Sequence, residues 1–83
     1  MSRTPVGAYL KEELHDRGLS QCELARQAGL RRTQVNDLAR GARRCTPFLA
    51  VRIARVLGVS PEFLLNLQMV VDLHRELKRE EAR

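Results

Sequence analysis

The sequence predicts an all-α domain of five helices, and three observations carry that expectation. Hydrophobic residues make up 43% of the 83 residues, with Tyr9, Phe48 and Phe63 the only aromatics. A set dominated by Leu, Val and Ala suits small helices packed at close range, not a β-sandwich. Apolar residues recur at three- and four-residue spacing, and the punctuation between those stretches repeats. A hydroxyl residue that can cap comes first, often with proline behind it, and a glycine closes the run. A domain this small buries only about 60 to 65% of its unfolded surface, so a partner subunit would add to a thin stability margin.

Taken in order, Thr4 can cap a first helix and Pro5 can fill its first position. Val6, Leu10 and Leu14, with Tyr9 alongside, form an apolar stripe as far as Arg17. Residues 1–4 have little to pack and are expected to be flexible. Gly18 ends the helix and Leu19 folds back beneath it. Ser20 and Glu23 form a capping box that opens a second helix, whose Leu24, Ala25 and Ala28 face inward. Ala25 offers the small side chain that two steeply crossing helices need. Gly29 supplies the positive φ of the next turn, and Leu30 anchors it. A third helix begins at Arg31 or Arg32 and stops before Gly41, with Val35 and Leu38 inward.

Ala42 to Thr46 reads as a basic loop. Thr46-Pro47 then opens a fourth helix to about Leu57, burying Ala50, Ile53, Ala54 and Leu57 while Arg52 and Arg55 point outward. Gly58 closes it, and Ser60-Pro61-Glu62 starts a fifth. That helix is expected to reach about Arg79, roughly 28 Å at the α-helical rise, which is more than so small a domain covers alone. Leu64 and Leu65 can close the core. Phe63, Leu67, Val70, His74 and Leu77 follow at four-three spacing and are the expected seam of a homodimer. The competing arrangement is an amphipathic tail lying across its own domain. The charged end from His74 onward is expected to fray. The chain thus divides into a flexible start (1–4), a helical body (5–68) and an extension for dimerisation (69–83).

Charge is concentrated. The formal net charge is +5, yet residues 26–55 hold eight arginines (26, 31, 32, 40, 43, 44, 52 and 55) against Asp37 alone, so the rest of the chain is slightly acidic. An arginine-rich field on a helical pair favours polyanions, because guanidinium forks match phosphates and guanine edges. Opposite Val35 and Leu38, the third helix carries Arg32, Thr33, Asn36, Asp37 and Arg40. A short helix, a glycine turn, a second helix with a polar face and a positive field together match the helix-turn-helix pattern.

Other classes are excluded or disfavoured. No nucleophile stands with a base, no carboxylates pair in an apolar setting, and no glycine-rich phosphate loop occurs, so an enzyme is not expected. Cys22, Cys45, His15 and His74 lack zinc spacing; the thiols are expected to be buried or idle, with no metal and no cofactor. No apolar run approaches the roughly 18 residues that span a bilayer, and the start does not resemble a signal peptide. The expected location is the bacterial cytoplasm, on the nucleoid when DNA is bound, with no membrane and no small-molecule substrate.

Ser20-Gln21-x-Glu23-Leu24-Ala25, Gly29, Val35, Leu38, Gly41 and Ile53-Ala54-x-x-Leu57-Gly58-Val59 resemble the lambda-repressor-like, or Xre-type, helix-turn-helix domain. The flanks TPVGAYLKEELHDRGLSQ and TPFLAVRIARVLGVSPEFLLNLQ are similar to the HigA family of antitoxins. The resemblance covers about residues 4 to 73. It implies a five-helix dimer that binds a palindromic operator, represses its own operon and silences a RelE-like ribonuclease toxin. It also implies base contacts from Arg32, Thr33, Asn36 and Asp37, and phosphate contacts from Gln21, Arg40 and Arg43. Many relatives carry small hydroxyl residues where this chain has Arg31-Arg32, and Asn-Gly-Lys in place of Arg40-Gly41-Ala42, so the operator sequence does not carry over.

The chemistry of the same residues agrees. Arg32 can pair bidentately with guanine, Asn36 with adenine, and the Thr33 methyl can meet thymine. Gln21 lies in a helix first turn that already favours phosphate, while Arg31, Arg40, Arg43 and Arg44 can add affinity without sequence information. Two alternatives stand beside the antitoxin: a phage or plasmid repressor without a toxin, and an interaction module that no longer reads DNA. The retained arginine field argues against the second.

Overall fold

The computed structural model describes residues 4–82; the flexibility expected of residues 1–3 lies outside that range. The described residues form α1 (Pro5–Arg17), α2 (Gln21–Ala28), α3 (Arg32–Arg40), α4 (Pro47–Leu57) and α5 (Pro61–Glu81), with no strand.

Local chemistry explains where the helices begin. Thr4, grouped above with the flexible start, is the cap of α1: its Oγ1 accepts the Gly7 N–H at 3.0 Å. Ser20 Oγ accepts the Glu23 N–H at 3.0 Å while Glu23 Oε1 accepts the Ser20 N–H at 2.9 Å, which completes the capping box of α2. Thr46 and Ser60 cap α4 and α5, each followed by a proline. These side chains satisfy amides that have no partner inside the helix. α3 starts differently, with the Arg31 backbone N–H donating to Gln34 Oε1 at 2.8 Å.

Each helix sends one large side chain to the centre: Leu10, Leu24, Leu38, Ile53 and Leu64 are all fully buried. Around them α1 packs on α3 and α5, α2 on α3 and α4, and α4 on α5. Leu49 joins the α4 residues expected in the core, and Leu65 packs against its edge. Ala25 is buried as expected, but a tighter approach involves Gly7 of α1. A Cβ there would lie 2.5 Å from the Ala39 carbonyl oxygen of α3. Arg52 is exposed as expected, and from there its Nη1 also donates to the Ala28 carbonyl at 3.2 Å while its guanidinium covers the Phe48 ring at 4.9 Å.

α5 departs most from expectation. It stays helical to Glu81, beyond Arg79, so the charged end extends the helix where fraying was expected. Arg79 bonds Glu76 at 3.4 Å within that end. The molecule measures 44 × 25 × 21 Å with a radius of gyration of 13.1 Å, against about 12 Å for a compact chain of this length, and the projecting helix accounts for the excess. No helix among the described residues is long and apolar enough to cross a membrane.

The rotational phase of α5 decides which residues of the expected seam stay open. Leu64, Gln68 and Val71 face the core, which turns Leu67 partly inward against it. Phe63 sets its ring edge-on to Tyr9, centroids 4.9 Å apart, inside the same molecule. The large apolar side chains of α5 left open are Phe63, 40% exposed despite its contact with Tyr9, and Met69, Val70, Leu73 and Leu77, each more than half exposed. Of the expected set, Val70 and Leu77 lie in this stripe and His74 stands exposed beside it.

Candidate nucleic-acid interface

α2 and α3 are joined by a turn of three residues whose Gly29 has φ +68°, a left-handed conformation that side chains resist. A Cβ at Gly29 would also meet Arg52 Nη1 at 2.6 Å. Behind the turn, Val35, Leu38 and Ala39 lock one side of α3 into the core. The opposite side is held at fixed height and orientation.

On that side, Arg31, Arg32 and Thr33 are exposed. Among the described residues the side chains of Arg32 and Thr33 have no intramolecular hydrogen bond or ion pair, so both are available to a partner. Asn36 is half-buried, and its Nδ2 donates to Gln21 Oε1 at 3.0 Å. The residue expected at a base and the residue expected at a phosphate are therefore joined. Whatever fixes Gln21 also fixes Asn36.

Asp37 lies among the arginines and not apart from them. It accepts from Arg40 Nη2 at 3.0 Å and pairs with Arg43 Nη2 at 3.5 Å. The Arg40 guanidinium, with Arg43 behind it, holds the Asp37 carboxyl below the usual carboxylate range. A base contact from Asp37 would compete with these two pairs. Their direct effect is to fan Arg40 and Arg43 around the C-terminal end of α3.

The loop after α3 is tied to α5 by residues the sequence reading did not single out. Gln68, 5% exposed, accepts the buried Cys45 N–H at 2.8 Å through Oε1 and donates to Asp72 Oδ1 at 3.0 Å through Nε2. The same Asp72 oxygen accepts from Arg44 Nη1. Arg44, expected at a phosphate, thus has an acidic partner, and its guanidinium together with the Gln68 amide lowers the Asp72 pKa. Nothing local signals this arrangement, since Arg44 and Asp72 are 28 residues apart.

Cys45 is buried and its thiol pKa is pushed up to about 11 by desolvation, which makes it a packing residue; Cys22 is exposed. Among the described residues no group of His, Cys, Asp or Glu could hold a metal ion.

A helix-turn-helix family model matches residues 10–64, which takes in α2, α3 and α4 complete. The chain is 40% identical over 81 residues to antitoxin HigA-1 of Vibrio cholerae serotype O1, covering 94% of this chain and 76% of that protein. It belongs to the HigA family of helix-turn-helix proteins. Among solved structures, a HigA-family antidote protein from Coxiella burnetii superposes with a TM-score of 0.87 at 34% identity, over 99% of this chain and 90% of that one. The Pseudomonas aeruginosa antitoxin HigA, solved with the higBA promoter, gives a TM-score of 0.86 at 26% identity, over 95% of this chain and 86% of that one. The chain's relatives are antitoxins and helix-turn-helix transcription regulators, families that are not enzymes. The HigA assignment accounts for the fold, since all five helices fall within the matched length.

Proposed function

We propose that two copies of this chain bind a palindromic operator, laying α3 of each into the major groove of one half-site. The observation that carries the reading is the open, unpartnered pair Arg32 and Thr33 on a helix whose other side is locked into the core, next to the Gln21–Asn36 bond. Arg32, Thr33 and Asn36 read base edges, while Gln21, Arg31, Arg40, Arg43 and Arg44 meet phosphates. Asp37 serves first to hold Arg40 and Arg43, and reaches a base only by giving up one of them. One copy reaches a single half-site, so Met69, Val70, Leu73 and Leu77 pair two copies whose reading helices lie about one turn of DNA apart, roughly 34 to 36 Å.

By this reading the dimer represses its own operon and, as an antitoxin, binds and neutralises a ribonuclease toxin of RelE-like type encoded beside it. The HigA relative from Vibrio cholerae and the Pseudomonas complex with promoter DNA support the two halves of this role. Footprinting upstream of the chain's own reading frame tests the operator, and co-purification with the neighbouring gene product tests the toxin. A protected palindrome that Arg32→Ala no longer distinguishes from random duplex is the expected result. Unchanged preference in that variant would remove Arg32 from the reading set.

A further inference from the structure

We propose that Gln68 and Asp72 of α5 are positioning residues for DNA binding, acting through the loop at 42–46. The inference rests on the DNA reading above. The loop follows α3 and carries Arg43 and Arg44, yet it has no regular structure to hold it. α3 holds its first half, through the Ala42 N–H on the Asp37 carbonyl and the Asp37–Arg43 pair, and two bonds from one face of α5 hold the rest: Gln68 fixes the Cys45 backbone, and Asp72 fixes the Arg44 guanidinium. Gln68 also donates to Asp72, so the three bonds form one chain from a buried amide to a surface arginine. A buried side chain satisfied at both ends holds its neighbours in a single arrangement. Arg44 then presents its remaining N–H groups from a defined place, and its ordering cost is met before DNA arrives.

Asp72 is an acid beside a surface that would bind a polyanion, and this makes the test decisive. If its only influence were charge, removing it would tighten DNA binding. If it positions Arg44, removing it weakens binding in spite of the added net positive charge.

The experiment measures affinity of the full chain for a duplex from upstream of its own reading frame, at several salt concentrations. Asp72→Ala is expected to weaken binding roughly five- to tenfold, in keeping with the net worth of one solvent-exposed hydrogen bond, and to make the salt dependence shallower by about one phosphate contact per protomer. In an Arg44→Ala background the same change should move affinity less than about twofold, since the pair acts as a unit. Glu76→Gln, which removes another acid from the same helix, should not weaken binding. Gln68→Met cuts both of its bonds at once and should weaken binding further; if it does not fold, Asp72→Ala, a change at a surface carboxylate, decides the matter. Asp72→Ala binding as tightly as the wild type or more tightly, or weakening with an unchanged salt slope, would overturn the proposal. Wild-type protein that ignores the duplex altogether would overturn the DNA reading and this inference with it, and is told apart by the wild-type lane alone.

Discussion

Asp37 shares a helix face with Arg32 and Asn36, and two arginines hold its carboxylate. Arg40, one turn on in α3, lies at 3.0 Å, and Arg43, in the loop beyond the helix, at 3.5 Å. Facing is legible from periodicity, but the preferred partner of a charged side chain depends on which cation is nearest. Asp37 and Asp72 both have pKa values lowered by folding, the first chiefly by Arg40 and the second chiefly by Arg44. A carboxylate with a depressed folded-state pKa adds stability above its unfolded value, about 3.9, and that contribution is lost as pH falls through the lower folded value. The urea midpoint should therefore hold near neutral pH and drop below about pH 4, with a shallower drop in Asp72→Asn. Gly7 gives a prediction in the core. With the Ala39 carbonyl oxygen 2.5 Å from where its Cβ would sit, Gly7→Ala forces α1 and α3 apart and should cost about 1 to 3 kcal/mol in thermal or chemical unfolding.

At the scale of the helices, starts and stops were the most legible features. Thr4-Pro5, Ser20 with Glu23, Thr46-Pro47 and Ser60-Pro61 each act within four residues, so no tertiary knowledge was needed to place them. Ser20→Ala should lower stability by about 1 kcal/mol, measured by chemical unfolding, because it removes the cap that the box depends on. The phase of α5 was not legible in the same way. Its apolar residues are numerous enough to draw two overlapping stripes, and only docking against the other helices decides which one is buried. The deciding residue is Gln68, a polar side chain that enters the core because the Cys45 amide needs an acceptor there. A search for apolar periodicity passes over it. Arg52 adds a tertiary contact that periodicity does not show: exposed on the outward face, it still bends back to the Ala28 carbonyl.

For the whole molecule, the open stripe on α5 and the basic face around α3 make linked demands. Leu73→Asp with Leu77→Asp should leave the fold intact, since both side chains are exposed. The doubly changed chain should sediment as a monomer and lose most of its operator affinity. Deleting residues 69–83 is a poorer test, because it also strips the buried Val71 and the Arg44 partner Asp72. A dimer bringing Arg31, Arg40, Arg43 and Arg44 from each copy to phosphates should show a slope of about −7 in log affinity against log salt. Isothermal or fluorescence titration at four salt concentrations measures it, and a slope near −2 would mean that most of those arginines stay in solvent.

Met69, Val70, Leu73 and Leu77 share one further property: each is more than half exposed, so the fold of the single chain asks little of them. On the proposed function, partner choice and operator choice would then be written in separate alphabets, one at Met69, Val70, Leu73 and Leu77, the other on α3. A library randomised at those four positions should yield mutually blind dimers that all recognise the same palindrome. A bacterium carrying several such chains could keep them from mixing by drift at the stripe alone, with every promoter left unchanged.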